Sequence, residues 1–407
     1  MLASRLAKTL AALFPDGEIP RFGVAVSGGG DSFALLDLLH LNKVQMDVVS
    51  INHGLRPEAA SEVALVSNYC SARCLSHDVL HWTWDGRGSV QLAAREGRSK
   101  LMSQWAKTRG ISHVVLGHTK DDQAETFLMR LTRGSGVDGL AAMAPVTKHN
   151  GMIWLRPMLG IKRSELRAHL TLRNILWAED PSNEDMAYDR VRARKALDVL
   201  TPLGLHVDRL ALTADHMGRA RVALDYAESI LTQEVARIEA GDVVIEWDRF
   251  NRAPEELRTR LLANALGWVS GQIYRPRYTA LKAAMATKST YVLQGCVIIR
   301  KKNTFRISRE WAAVAKTRCA VGELWDGRWL LSGKAKKSLY VRALGEEGLR
   351  ECAAWRNTGK PRQSLFATPS IWHEKTLISA PLAGLARGWR AEIVPERLHF
   401  PRSFESH

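Results

Sequence analysis

The stretch Phe22-Gly23-Val24-Ala25-Val26-Ser27-Gly28-Gly29-Gly30-Asp31-Ser32-Phe33-Ala34-Leu35-Leu36-Asp37-Leu38-Leu39 decides the fold. Its first five residues form an apolar run that reads as a buried strand, and its last seven read as a helix. Strand, glycine turn and helix in that order make a phosphate site. The glycines let backbone approach a ligand closely, and amide groups at the helix start face an anion. The hydroxyls of Ser27 and Ser32 can add hydrogen bonds. Asp31 would repel a bare phosphate, so its presence implies a cation, most simply Mg²⁺, between carboxylate and phosphates. The Gly-Lys-Ser/Thr ending of a Walker loop is absent.

Working outward, short apolar runs alternate with longer helical patterns. Strands are expected at 23–26, 46–52, 79–82, 114–117 and 153–156, with helices near 32–41, 59–74, 90–108 and 123–131. Alternation of this kind predicts an α/β fold with a doubly wound, mostly parallel sheet, whose ligands sit at the carboxyl ends of the strands. Thr201-Pro202-Leu203-Gly204 reads as a break. Beyond it, 208–239, 248–268 and 277–286 have helical patterns, 290–299 and 304–308 read as a hairpin turning at Lys301, Lys302 and Asn303, and the last hundred residues carry short β-like runs. The expected division is a catalytic domain over 1–204, a mainly helical substrate-binding domain over 205–311 and a small basic α+β module over 312–407.

Two further constellations fall at strand ends. Ile51-Asn52-His53-Gly54-Leu55-Arg56 closes the second strand, where doubly wound sites contact adenine or ribose; Asn52 is the candidate for that contact, and His53 and Arg56 could meet phosphate. Gly117-His118-Thr119-Lys120-Asp121-Asp122-Gln123-Ala124-Glu125-Thr126 follows the fourth strand. If helical, His118, Asp122 and Glu125 share one face. Acidic groups beside a nucleotide need a purpose, either a cationic substrate or Mg²⁺. Asp121 alone reads as a solvated helix start, favoured by the macrodipole. Arg130 and Arg133, beside Gly134, Gly136 and Gly139, suit the phosphates of RNA or ATP. After Asp180-Pro181-Ser182-Asn183, arginines at every second position, Arg190, Arg192 and Arg194, suggest an extended or loop segment facing an anion.

The 407 residues carry 58 Lys and Arg against 42 Asp and Glu, a formal net charge of +16, which points to a polyanion such as nucleic acid. The five cysteines form no Cys-x-x-Cys, which fits a reduced, cytoplasmic protein without structural disulfides or zinc. Cys70 and Cys74 would share a buried helix face. Arg5 and Lys8 interrupt the N-terminal leucines, so no secretion signal is read, and no apolar run is long enough to span a membrane. Nothing fixes the oligomeric state.

The Ser27–Ser32 loop resembles that of the N-type ATP pyrophosphatases, the PP-loop (adenine nucleotide alpha hydrolase-like) superfamily. Gly-His-x-x-Asp-Asp-Gln-Ala-Glu-Thr from Gly117, followed by Arg-Gly-Ser-Gly-x-Asp-Gly-Leu from Arg133, is more specific. Together with His53–Arg56, Arg156–Leu166 and Asp180–Arg194, in order and spacing, these segments look like the bacterial tRNA(Ile)-lysidine synthetases. The resemblance covers residues 20–200 and continues through 274–278 and 293–296. It implies an ATP- and Mg²⁺-dependent ligase. AMP from ATP activates C2 of the wobble cytidine of a CAU-anticodon isoleucine tRNA, pyrophosphate leaves, and the ε-amine of free L-lysine displaces AMP. It implies that Ser27, Gly28, Gly29, Gly30, Asp31, Ser32 and Asn52 bind ATP and that Asp31 positions the metal. His118, Asp122 and Glu125 would surround lysine, with Asp122 or Glu125 taking its proton, and Arg133, Arg190, Arg192 and Arg194 would meet tRNA or adenylate. Lys120 and Thr119 depart from the family pattern, and Lys120 would weaken local acidity. The rivals are a tRNA thiolase of the same superfamily, which needs paired cysteines or an iron–sulfur cluster, an ammonia-using amidating enzyme, and a catalytically silent RNA-binding protein.

Overall fold

The computed structural model describes residues 1–52, 54, 59–84, 90–179, 185–334 and 338–394. His53, Arg56 and Asp180–Asn183 lie outside the described residues, as do the tail lysines Lys336 and Lys337, whose charge suits phosphate contact. Two compact units divide the chain, one from Met1 to Arg221 and one beginning at Val222.

The first unit runs α1 (Leu2–Leu13), β1 (Phe22–Ala25), α2 (Gly30–Leu41), β2 (Met46–Asn52), α3 (Ala59–Ser71), β3 (Ser76–His81), α4 (Val90–Thr108), β4 (His113–Val115), α5 (Lys120–Leu131), α6 (Val137–Leu140), β5 (Val146–His149), β6 (Met152–Leu155), α7 (Arg163–Leu172) and α8 (Asp189–Leu200). Its six strands lie in the order β3-β2-β1-β4-β6-β5. All neighbours are parallel except β5, which pairs antiparallel with β6 at the edge. The strand alternation decides the two faces. Phe22, Val24 and Val48 pack with α1, α2, α3 and α7, whereas Val49, Val114 and Trp154 pack on Met102, Trp105 and Ala106 of α4. Helix α2 is buried along Ser32–Leu39, which explains its nearly unbroken apolar sequence. The order reverses between β1 and β4. At such a reversal, parallel sheets bind ligands at the carboxyl ends of the strands.

The expected break is a 3₁₀ turn, Thr201–Leu203, closed by left-handed Gly204. The long helix α9 (Val207–Val235) then carries the chain across the unit boundary. The second unit continues with β7 (Ala236–Glu239), β8 (Asp242–Glu246), α10 (Trp247–Arg252), α11 (Glu255–Ser270), α12 (Tyr278–Ala286), β9 (Thr290–Leu293), β10 (Cys296–Lys301) and β11 (Thr304–Arg309). The end of the helix expected to Glu239 is strand β7, and the helix expected over 248–268 is two, because Pro254 lacks the amide that would continue α10 and instead caps α11. The expected hairpin is part of a five-stranded sheet, β7-β8-β11-β10-β9. Later strands β12 (Arg318–Ala320), β13 (Trp329–Ser332), β14 (Tyr340–Ala343), β15 (Pro369–His373), β16 (Thr376–Ser379) and β17 (Arg390–Ile393) form two small sheets packed around Trp325, Trp329, Trp372 and Trp389.

Candidate active site

The loop after β1 is held by its own backbone and hydroxyls. Gly28 sits at φ +89°, and a Cβ there would lie 2.9 Å from Glu62 Cβ. Its carbonyl accepts from the Ala178 amide at 2.9 Å. Ser32 turns inward: Oγ donates to the Gly29 carbonyl (2.8 Å), accepts from the Ser27 amide (3.1 Å) and meets Ser27 Oγ at 3.2 Å. The Ser32 hydroxyl therefore braces the loop. Gly29 caps α2 without a side chain, so the amides of Gly30, Asp31 and Ser32 have no intrahelical acceptor and form an anion cradle. Asn52, at the end of β2, accepts from the Gly54 amide through Oδ1 (2.9 Å) and so shapes the turn that leaves the strand.

Gly117 lets the exit of β4 pack closely on this loop, since a Cβ would meet Ser32 Cα at 3.0 Å. Helix α5 begins at Lys120, so His118 lies before the helix, and the three-residue face expected of His118, Asp122 and Glu125 is shared by the last two only. Thr119 is the N-cap. Asp122 Oδ2 accepts from its amide and hydroxyl (2.7 Å each), closing a capping box and leaving Oδ1 for other partners. Thr119, a departure from the family pattern, thus has a clear task. Lys120 donates to Asp208 Oδ1 at 3.0 Å, and Lys162 pairs with Asp208 Oδ2 at 2.6 Å. Asp208 therefore turns Lys120 to itself, although it shares its charge between two lysines.

The arginine row is a helix rather than an extended segment. In α8 a spacing of four places Arg190 and Arg194 on one face and Arg192 off it. Arg194 Nε donates to Glu125 Oε1 (2.9 Å), and Arg190 acts on Asp122 through its charge. Arg192 is turned to the Met186 carbonyl (2.8 Å) and to Asp189, which also accepts from Arg133 Nη2 (2.9 Å). Arg133, Arg190 and Arg192 are exposed.

Arg163 joins these pieces. No motif marks it, although it falls within the segment 156–166. Its Nε donates to Asp31 Oδ2 (2.9 Å), Nη1 to Glu125 Oε1 (3.2 Å) and Nη2 to Asp122 Oδ1 (3.3 Å). Asp121, read from sequence as a solvated helix start, accepts from the Arg163 amide at 2.8 Å and so caps α7. Asp31 titrates above the usual carboxylate range because burial outweighs the pull of Arg163. Asp122 is also buried, which pushes it up, yet Arg163, His118, Arg190 and the Thr119 amide together bring it below that range. Arg163 is raised: burial opposes its charge, but Asp122, Asp31 and Glu125 outweigh it. Glu125 is 1% exposed, and its Oε2 has no hydrogen-bond partner among the described residues.

Hard carboxylate oxygens on Asp31 beside an amide cradle suit Mg²⁺, which uses one or two carboxylates and takes further oxygens from substrate phosphates. No closed cluster of three or more metal-ligating side chains occurs among the described residues. The cysteines are free: Cys70 is buried, but Cys74 is exposed and lies beyond the end of α3, so the two do not share a buried helix face.

A glycine loop between strand and helix, at the switch point of a parallel sheet and faced by carboxylates, defines a PP-loop nucleotide-binding protein. Residues 2–200 match the family model described as PP-loop domain. The tRNA(Ile)-lysidine synthase of Ruegeria pomeroyi is 45% identical over 413 residues, covering 100% of this chain and 99% of that protein. The synthase of Wolbachia pipientis wMel is 36% identical over 301 residues, covering 70% of each. The chain belongs to the tRNA(Ile)-lysidine synthase family, and the similarity extends through the tail beyond Trp311, where no motif was matched. Among solved structures, a U34-tRNA thiolase of Methanococcus maripaludis with its [4Fe-4S] cluster is 17% identical, with a TM-score of 0.45, covering 54% of this chain and 77% of that one.

Proposed function

We propose that this enzyme joins free L-lysine to C2 of the wobble cytidine of CAU-anticodon isoleucine tRNA, using ATP, in the cytoplasm. The observation that carries the reading is the meeting of Asp31, Asp122 and Glu125 beside the Gly30–Ser32 amide cradle. Arg163 and Arg194 offset only part of the charge of the three carboxylates. A nucleotide with Mg²⁺ and an ammonium substrate requires them.

The amides at the start of α2 hold the phosphates, and Asp31 holds Mg²⁺, which when bound offsets the charge on the departing pyrophosphate. The cytosine O2 attacks the α-phosphate, and pyrophosphate leaves. Anticodon-loop bases are unpaired, so moving the cytosine into the site costs little. Asp122 Oδ1 and Glu125 attract the ε-ammonium of lysine, and one of them takes its proton, because only the neutral amine is a nucleophile. The amine attacks C2, and AMP leaves. His118 supports Asp122 in its charged form. Asn52 lies at the adenosine end, and Arg133, Arg190, Arg192 and Arg194 carry the positive edge toward tRNA or adenylate. The segments 205–311 and 312–407 are assigned to tRNA. Among the described residues no helix is long and apolar enough to cross a membrane.

The test is incorporation of radiolabelled lysine into a transcript of this tRNA. Labelling should require ATP and the wobble cytidine and should vanish in Asp31→Ala, while tRNA affinity changes less than about threefold. Pyrophosphate release without labelling would keep the adenylating step and reject lysine as nucleophile.

A further inference from the structure

Arg163 is positioned from two sides. Its amide is held by Asp121 (2.8 Å), and the Lys120 amide donates to the Ile161 carbonyl (2.8 Å), so the first turns of α5 and α7 are laced together. From that anchor the side chain, 17% exposed, reaches Asp31 (2.9 Å), Glu125 (3.2 Å) and Asp122 (3.3 Å). These are the three carboxylates that the proposed reaction gives to cations, Asp31 to Mg²⁺ and the other two to the lysine ammonium. A guanidinium cannot stay bonded to all three while both cations enter, because like charges would then crowd within a few ångströms in a partly buried site. Glu125 shows the same competition at one residue: Oε1 is shared by Arg163 and Arg194, while buried Oε2 has no hydrogen-bond partner among the described residues.

We propose that Arg163 is the resident counter-cation of the nucleotide-free site and controls the order in which substrates enter. Magnesium nucleotide takes Asp31 from it and offers phosphate oxygens in return, which a forked guanidinium binds well. Its departure opens Asp122 Oδ1 and Glu125 to the ammonium. Lysine therefore binds well only after nucleotide. The inference rests on the lysine reading above.

The test is calorimetric titration of L-lysine into the full chain, alone and with Mg²⁺ and α,β-methylene ATP, which cannot be cleaved at the bond in question. In the natural protein, lysine affinity should rise at least roughly tenfold with nucleotide, and by linkage nucleotide affinity should rise by the same factor with lysine. In Arg163→Met, lysine should bind without nucleotide, and the difference should shrink to less than about threefold; Arg163→Lys should keep part of it. Equal lysine affinity with and without nucleotide in the natural protein would overturn the proposal and leave the lysine reading intact. So would a dependence that survives in Arg163→Met. If Arg163→Met fails to fold, Arg163→Lys carries the comparison: a nucleotide dependence undiminished in that variant would overturn the proposal. An absence of lysine binding under every condition, with tRNA-dependent pyrophosphate release retained, would defeat the lysine reading and this proposal with it.

Discussion

At the scale of single residues, the site shows why a motif is easier to read than the environment that tunes it. Ser27–Ser32 announces itself because six positions must cooperate locally. Arg163 does not, because one arginine at a helix start resembles any solvated residue, and its partners Asp31, Asp122 and Glu125 lie far away in sequence. Asp121 and Asp122 were separable only in part: both carboxylates serve as helix caps, and Asp122 has one oxygen left for chemistry. The glycine loop makes a direct prediction. Gly28→Ala would force a side chain onto φ +89° and against Glu62, so it should cost about 1–3 kcal/mol in a urea midpoint and abolish nucleotide binding. The carboxylate makes a second. The folded-state pKa of Asp122 is below its unfolded value, so its ionised form stabilises the fold above the unfolded value, and that contribution is lost as pH falls through the folded value. Asp122→Asn should therefore lose about 1–3 kcal/mol at pH 7, and the deficit relative to the natural protein should shrink below about pH 4. A deficit unchanged across urea titrations at both pH values would mean that the capping geometry, not the charge, carries the effect.

At the scale of elements, amphipathic period was a good guide where one face is buried and a poor one where charge dominates. The ranges of β2 and α4 agree with the expected 46–52 and 90–108. Helix α8 is hard to read because Arg190, Arg192 and Arg194 alternate like a strand, while its anchoring residues, Val191, Ala193 and Leu197, are few. Strand β5 escaped notice because its edge position tolerates Lys148 and His149. Helix α7, unmarked in the sequence, is fixed by a buried acid on α2. Asp37 is 0% exposed; it accepts from Tyr69 Oη and meets His169 Nε2 at 2.7 Å each, and it forms an ion pair with Arg173 Nε at 2.7 Å. The starts of these same two helices carry Asp31 and Arg163, so the Asp37 tie holds the cradle and the counter-cation in register. Asp37→Ala should cost about 3–5 kcal/mol in urea unfolding, because Arg173 and His169 lose a buried partner. Where the variant still folds, nucleotide affinity should fall although Asp37 touches no substrate. Unchanged affinity in a destabilised variant would confine Asp37 to stability.

At the scale of the whole molecule, charge was legible long before shape. An excess of 16 positive charges cannot be explained by one nucleotide and one amino acid, and the carboxylates at the reaction centre make the excess elsewhere larger still. The division of the chain was harder to read. The break at Thr201–Gly204 is real, yet the first compact unit extends to Arg221, because α9 packs its first turns, through Leu210 and Ala214, against α5 and α8. In the second unit, Lys301 and Lys302 stand exposed at the β10–β11 turn, Lys334 follows β13, and Tyr274 and Tyr278 are half-exposed beside Arg275 and Arg277. Phosphate contacts by such groups release counter-ions, so their loss should lower affinity for all tRNAs alike and reduce the slope of log affinity against log salt by about 1 per contact removed. Changing Lys301 and Lys302 together to alanine should show both effects in filter binding across a salt series, while pyrophosphate release at saturating tRNA stays within about twofold of the natural rate. Asp31→Ala should give the opposite pair of results, an undisturbed salt slope with no pyrophosphate released. If the double lysine variant keeps the full slope, its charges do not meet phosphate, and the basic face that holds tRNA must be sought at Arg133, Arg190 and Arg192 in the first unit. The same salt series on alanine variants of those three residues would then separate an arginine that grips the RNA backbone, which reduces the slope, from one that serves the adenylate, which does not.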